Sequence, residues 1–179
     1  MGFNQGPSRF IVGNAGLLFS SMEREPVRKT FLILEDDADD ALLIRRAFTN
    51  SVCRAFVCRN TSEARAYLNG AGMYADRSRF PFPEVFVTDL RLGEETGVQF
   101  VKWLRQNEEL RTLPVIVLAG TVSADDVHAL KGLGVARMLE KPADPFKLES
   151  LLLELARQLC GERSGKYFRA REFASATKR

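Results

Sequence analysis

Residues 82–97 read FPEVFVTDLRLGEETG, and this stretch decides the fold. Val85, Phe86 and Val87 form a short apolar run, which is typical of a parallel strand buried on both faces. The run ends in the carboxylate of Asp89, and a loop then leads to an amphipathic pattern that predicts a helix. Asp89 is therefore expected at the carboxyl end of a strand, the edge where ligands bind in open α/β sheets.

Four other apolar runs have the same character, and helical patterns alternate with them. The predicted strands are 30–34, 55–58, 85–89, 114–118 and 136–140. Parallel neighbours in a sheet need right-handed crossovers, so this alternation predicts an α/β protein with a doubly wound, five-stranded parallel sheet and helices on both faces.

Several local features refine this expectation. Asp39 or Asp40 is expected to cap the first helix, and Leu42 to lie on its buried stripe. In the last helix, Phe146 is expected to join the leucines that repeat at helical spacing. The connection 71–83 is long for a helix-to-strand loop, and its two prolines argue against a further helix there.

Charge is unevenly distributed along the 179 residues, whose net charge is +3. Residues 30–160 carry −3 and predict one folded domain, while the N-terminal extension 1–29 carries +2 and is expected to be flexible. The basic tail 161–179 carries +4 and contains aromatic residues, so a frayed helix, a dimerisation arm and disorder all remain open. Nucleic-acid binding is not expected from such a tail alone. No segment is long and apolar enough to predict a membrane span.

Cysteine and histidine usage excludes other kinds of site. Cys53, Cys58 and Cys160 are odd in number and lack CxxC spacing, so neither a disulfide framework nor a zinc site is indicated. A reducing, cytoplasmic compartment is expected. The single histidine, His128, excludes clusters of several histidines and is expected to be exposed on a helix.

Charged residues also follow the first and fifth strands. Glu35, Asp36 and Asp37 follow the first strand, and Lys141 follows the fifth. If these strand ends lie beside Asp89, three carboxylates and one ammonium face a common point. Carboxylates that lie so near to one another need a cation to neutralise their charge. Hard oxygen ligands of this kind favour Mg²⁺. Such a site suits phosphoryl chemistry, with Asp37 as the alternative to Glu35.

Together these motifs resemble the receiver domain of two-component response regulators, over about residues 30–160. The resemblance implies a flavodoxin-like (βα)5 fold. The long loop before the third strand, with YLNGAGMYADRSRFPFP, resembles the receivers that serve phytochrome kinases. Pro142, directly after Lys141, would follow a peptide bond that is usually cis in the family.

The resemblance also implies roles for the site residues. Asp89 matches the phosphoacceptor, which receives a phosphoryl group from the phosphohistidine of a sensor histidine kinase. Glu35 and Asp36 match the acidic pair that binds Mg²⁺, with the main-chain carbonyl of Arg91 as a further ligand. Lys141 matches the lysine that pairs with a phosphoryl oxygen. The Arg91 side chain could hinder an attacking water or could point to solvent.

Four positions depart from the family pattern, and Arg91, two residues beyond Asp89, is one of them. Ala119 stands where a Ser or Thr usually binds the phosphoryl group, and Met138 stands where an aromatic ring usually swings inward. We expect the hydroxyl of Thr121 or the amide of Gly120 to replace the missing donor. Gly93 stands where the family often has proline.

The preferred interpretation is a cytoplasmic, single-domain response regulator that is phosphorylated on Asp89 and signals by protein contact or phosphorelay. Its catalysis would be limited to its own phosphorylation and dephosphorylation. Partners would be a sensor histidine kinase, of phytochrome type on the narrower resemblance, and a second copy that pairs through the last strand and helix. The alternative is an interaction module whose switch has decayed, as Ala119 and Met138 would allow. A haloacid dehalogenase type of phosphatase is disfavoured, because Arg91 occupies the place of its second aspartate.

Overall fold

The computed structural model describes residues 29–49, 51, 53–93 and 95–160. These residues form five strands and five α-helices in strict alternation. The strands are β1 Thr30–Leu34, β2 Arg54–Cys58, β3 Val85–Asp89, β4 Val115–Ala119 and β5 Arg137–Glu140, and the helices are α1 Ala38–Thr49, α2 Thr61–Asn69, α3 Gly97–Gln106, α4 Ala124–Gly132 and α5 Pro145–Cys160. All strand pairs are parallel, in the order β2-β1-β3-β4-β5. The predicted doubly wound α/β fold is confirmed.

The sheet is apolar on both faces, which explains the unbroken hydrophobic runs in the sequence. In β1, Leu32 and Leu34 belong to the core shared with α2, α3 and α4, while Phe31 and Ile33 belong to the core shared with α1 and α5. All five residues of β1, β3 and β4 are buried. The charged residues that follow these strands are thus held at one edge by a rigid sheet.

The long connection before β3 folds back on α2. A single 3-10 turn spans Gly72–Ala75, so the prediction of no helix there was wrong for one turn. The two prolines lie further along and leave this turn unaffected. The guanidinium of Arg77 donates to the carbonyl oxygens of Tyr67 and Leu68, at 2.8 Å each, and so satisfies the end of α2. Aromatic contacts join this loop to the sheet edge, since Phe80 packs against Phe56.

Three expectations about the helices need correction. The first helix is capped by Asp37, whose Oδ1 accepts hydrogen bonds from the amides of Asp39 (2.9 Å) and Asp40 (3.0 Å). Leu42 is 66% exposed and Phe146 is 79% exposed, so neither belongs to the core. An apolar pattern of helical period indicates which face of a helix is buried but not where the edge of that face lies. Both side chains lie outside the buried stripe.

The cysteines also differ from expectation. A disulfide joins Cys53 and Cys160, whose Cα atoms lie 6.2 Å apart although 107 residues separate them. Partners so distant in sequence leave no spacing signature, so the expected absence of a disulfide was wrong. Cys58 is free and buried, and burial raises the pKa of its thiol to about 12.

Two further expectations can be compared with the fold. His128 is exposed on α4, as expected. Among the described residues no helix has the length and apolar character needed to cross a bilayer. The expectations for residues 1–28 and for the tail 161–179 lie outside the described residues.

Candidate functional site

The ammonium of Lys141 lies among three carboxylates at the carboxyl edge of the sheet. Its Nζ is 2.6 Å from Asp89 Oδ2, 2.7 Å from Glu35 Oε2 and 2.8 Å from Asp40 Oδ2. Glu35 follows β1, Asp89 ends β3, Lys141 follows β5, and Asp40 comes from the first turn of α1. We call these four residues the ion cluster. The sheet therefore brings three predicted site residues into direct contact and adds a fourth, Asp40.

Burial sets the electrostatics of the ion cluster. Glu35 is 1% exposed and Asp89 is 8% exposed. Burial raises the pKa of Glu35 above its usual value, although Lys141 acts in the opposite direction. Burial by itself would lower the pKa of Lys141, but the hydrogen bonds to Asp40, Asp89 and Glu35 outweigh it and hold that pKa above its usual value. The ammonium therefore stays charged at neutral pH.

Both carboxylate oxygens of Asp89 are oriented. Oδ1 accepts a hydrogen bond from the amide of Arg91 at 2.9 Å, and Oδ2 accepts one from Lys141. The start of α3 passes close behind, where a Cβ at Gly97 would collide with the carbonyl oxygen of Asp89. Glycine is required at that position, because only a residue without a side chain allows so close an approach.

Asp36 lies at the exposed rim of the same edge. Its Oδ2 accepts a hydrogen bond of 3.0 Å from the amide of Gly93 in the β3–α3 loop. Proline, which the family often has there, carries no N–H and could not make this bond. The guanidinium of Arg59 donates to the main-chain carbonyls of Glu35 (3.1 Å) and Asp36 (2.5 Å), which fixes the backbone that carries both acids.

The side chains of other predicted site residues form no ion pair or hydrogen bond with Lys141 in the described part of the chain, although the amide of Asp37 donates to Glu35 Oε1 at 3.2 Å. The carboxylate of Asp37 caps α1, and Glu35, its register alternative, contacts Lys141 instead. Thr121 is exposed, and no hydrogen bond joins its hydroxyl to another group in the described part of the chain. The Lys141–Pro142 peptide bond is trans, as are all described peptide bonds, so the expected cis bond is absent. A trans bond is in keeping with the small energetic difference between the two isomers before proline.

The Arg91 side chain was expected either to hinder an attacking water or to point to solvent, and the structure shows a third arrangement. Its side chain is 59% exposed, yet its Nη2 lies 2.8 Å from Asp126 Oδ2 on α4. Asp126 also closes the capping box of α4 with Ser123, and these bonds together with the guanidinium hold the pKa of Asp126 below its usual value. The loop after Asp89 is thereby tied to the start of α4.

Comparison with known proteins is consistent with this geometry. Residues 31–153 match the response regulator receiver domain family. The chain belongs to the response regulator receiver family. Response regulator Rcp1 from Synechocystis sp. strain PCC 6803 is 30% identical over 135 residues, which cover 70% of this chain and 90% of Rcp1.

Solved structures of receivers have the same fold. The phosphorylated cyanobacterial phytochrome response regulator RcpA superposes with a TM-score of 0.66 at 26% identity, over 74% of this chain and 94% of RcpA. The Mn²⁺-bound form of Rcp1 gives the same TM-score and identity over 75% and 96% of the two chains. The predicted resemblance to receivers, and to the phytochrome-associated group in particular, is confirmed.

The donor set of this receiver fits a hard divalent cation. Glu35, Asp36, Asp40 and Asp89 place four carboxylates at one edge against the one ammonium of Lys141, and oxygen ligands with excess negative charge suit Mg²⁺. Among the described residues no group of three acidic, histidine or cysteine side chains is arranged to hold a metal ion: Glu35, Asp40 and Asp89 surround the ammonium of Lys141, and Asp36 accepts from the amide of Gly93.

Sequence reasoning missed three residues of this receiver site. Asp40 was assigned to helix capping, but its spacing of five residues from Glu35 places it one helical turn above the strand end. Arg59 follows β2, and the rule that strand ends converge could have identified it. Gly97 lies at the start of α3, and a glycine within a helical pattern can indicate a close approach of the backbone.

Proposed function

We propose that this receiver accepts a phosphoryl group on Asp89 from a histidine kinase, in a Mg²⁺-dependent reaction. The observation that carries the proposal is the direct contact of Lys141 Nζ with Asp89 Oδ2, at 2.6 Å, at the carboxyl edge of the sheet. A buried carboxylate beside a permanent ammonium is suited to a step in which negative charge gathers on transferred oxygens.

In the reaction, a carboxylate oxygen of Asp89 attacks the phosphorus of a phosphohistidine. A P–O bond forms, the P–N bond breaks, and the leaving imidazole takes up a proton. The amide of Arg91 orients Asp89 through Oδ1, and Lys141 donates to the oxygens of the transferred group. Glu35, Asp36, Asp89 and the main-chain carbonyl of Arg91 would hold Mg²⁺, which would supply positive charge to neutralise the transferred group.

Phosphorylation with acetyl phosphate tests the assignment of Asp89. With MgCl₂ the protein should gain the mass of one phosphoryl group, and with EDTA it should gain none. Asp89→Asn should abolish the gain, while Asp125→Asn, an exposed acid on α4, should leave it unchanged. Labelling of Asp89→Asn to the extent of the parent protein would refute the proposal.

The wider role follows from the relatives. Rcp1 and RcpA are named response regulators, and RcpA is named for a cyanobacterial phytochrome. We infer that residues 30–160 are the receiver unit and that a phytochrome-type histidine kinase in the cytoplasm is the donor. Output would run through protein contact or phosphorelay and through pairing of two copies, and the only chemistry would be its own phosphorylation and dephosphorylation. Phosphotransfer profiling against a panel of purified kinases tests the donor.

A second candidate function is an interaction module that binds partners regardless of phosphorylation. Ala119 is 1% exposed and belongs to the core, and Met138 is partly buried and packs against the same core cluster, so both switch positions hold apolar residues. Chemical-shift mapping with beryllofluoride, a phosphoryl mimic, separates the two functions. Shifts confined to the binding site favour the interaction module, and shifts that extend to α4 or α5 favour the switch.

A further inference from the structure

Asp40 is the one member of the ion cluster that lies on a helix, whereas the other three lie at or directly after the ends of strands. Its Oδ2 lies 2.8 Å from Lys141 Nζ, and its side chain is 29% exposed, against 1% for Glu35 and 11% for Asp89. It is therefore the outermost of the three carboxylates that bind the ammonium.

In the described part of the chain, the carboxylate of Asp40 neither caps α1 nor contributes to its packing. Asp37 supplies the cap of α1, and the amide of Asp40, not its carboxylate, takes part in that cap. Within the described ranges, Lys141 is the one ionic or hydrogen-bonding partner of this carboxylate. Packing of α1 rests on apolar residues such as Ala41 and Ile44.

The contact between Asp40 and Lys141 matters because the ammonium of Lys141 has a limited number of N–H donors. A lysine ammonium has three N–H donors and no acceptor, and in the ion cluster each donor has a carboxylate partner. A phosphoryl group on Asp89 can take over the one donor that Asp89 Oδ2 now holds, but a second bond from Lys141 to its oxygens requires Glu35 or Asp40 to leave. Glu35 is too buried to be rehydrated, whereas Asp40 is open enough to be solvated by water when released.

We propose that Asp40 is a positioning residue that holds Lys141 toward α1 and competes with the phosphoryl group on Asp89 for its ammonium. This inference rests on the proposed phosphorylation of Asp89. Asp40 thereby makes the unphosphorylated form more stable relative to the phosphorylated form. Its position in the first turn of α1 also ties release of the lysine to the start of that helix.

Beryllofluoride affinity at saturating MgCl₂ tests the proposal. Asp40→Asn should bind the mimic about threefold to tenfold more tightly, because the ammonium no longer has to leave a partly buried ion pair. Asp39→Asn is the matched control, since Asp39 lies one residue away in the same turn, is exposed and has no side-chain contact with Lys141. Asp40→Glu retains the charge and should restore affinity toward that of the parent protein.

A separate titration with MgCl₂ alone distinguishes positioning from a general charge effect. Loss of a nearby negative charge weakens Mg²⁺ binding in both Asn variants, whereas only Asp40→Asn should gain affinity for the mimic. If the parent protein binds no beryllofluoride with MgCl₂, the proposed function fails. If the parent binds it and Asp40→Asn binds it no more tightly than Asp39→Asn, the competition is refuted and the proposed function stands.

Discussion

Replacement of Lys141 by methionine removes the cation of the ion cluster and keeps much of the side-chain volume. Two of its three partners, Glu35 and Asp89, have side chains 1% and 11% exposed, so water cannot replace the ammonium there. Removal of one member of a buried ion pair typically costs 3–5 kcal/mol. Asp40 can be rehydrated, and methionine retains apolar contacts, so we expect Lys141→Met to lower the free energy of unfolding by about 3 kcal/mol at pH 7.

The loss should shrink as the pH falls. Burial already holds the pKa of Glu35 above 4.5, and removal of Lys141 raises it further. An acid whose folded-state pKa exceeds its unfolded value destabilises the fold above both values, and this effect is lost as the pH falls from the folded-state value to the unfolded value. The difference between Lys141→Met and the parent protein should therefore be largest near neutral pH and smaller toward about pH 4.5.

Urea unfolding followed by circular dichroism, at several pH values, measures this difference. Lys102→Met on α3 is the control, because Lys102 is exposed and takes no part in the ion pairs of the ion cluster. MgCl₂ should restore part of the lost stability in Lys141→Met, since a cation that binds only the folded state stabilises it. A loss below about 1 kcal/mol at pH 7, equal to that of the control, would show that the buried ion cluster does not form.

Three further predictions concern contacts outside the ion cluster. Phe80→Ala should lower the free energy of unfolding by about 2–3 kcal/mol, because the ring packs against three other aromatic rings; urea unfolding with an exposed-site control measures it. Cys160→Ser should lower it by about 2–4 kcal/mol in oxidising buffer and leave it unchanged under reductant, where Cys53 is free of its partner in both proteins. Arg91→Ala should change the decay rate of the acyl phosphate by less than about twofold, because Asp126 already holds the guanidinium; a larger change would place Arg91 against the phosphoryl group.

The fold was predictable because its signals are local and repeated. Each strand is a short apolar run, and a charged residue stands at or directly after the end of every run except that of β4, which ends at Ala119 and continues with Gly120. Asp89 could be placed at a strand end from the pattern of residues 82–97 alone, and convergence of strand ends then brought Glu35 and Lys141 into one site. Convergence at one edge follows from parallel topology and needs no knowledge of side-chain conformation.

Pairings between side chains were not predictable in the same way. Asp37, Asp39 and Asp40 lie within four consecutive residues, and which one caps α1 depends on a shift of two or three positions that sequence patterns do not resolve. The disulfide between Cys53 and Cys160 joins the strand edge to the end of α5, and only the packed structure brings them together. Such contacts depend on register and rotamer, which become fixed only when the elements pack.

The apolar switch positions limit how a signal could leave the site. Met138 cannot swing as a ring does, and Ala119 offers the site only its main-chain carbonyl, which accepts a hydrogen bond of 2.9 Å from the amide of Lys141. Two polar contacts do connect the site to helices: Lys141 with Asp40 on α1, and the loop residue Arg91 with α4. Because a phosphoryl group acts on its surroundings through charge and hydrogen bonding, any conformational response should begin at these two contacts. In a beryllofluoride titration, chemical-shift changes that appear in β5 while α1 and α4 are still unchanged would contradict this route.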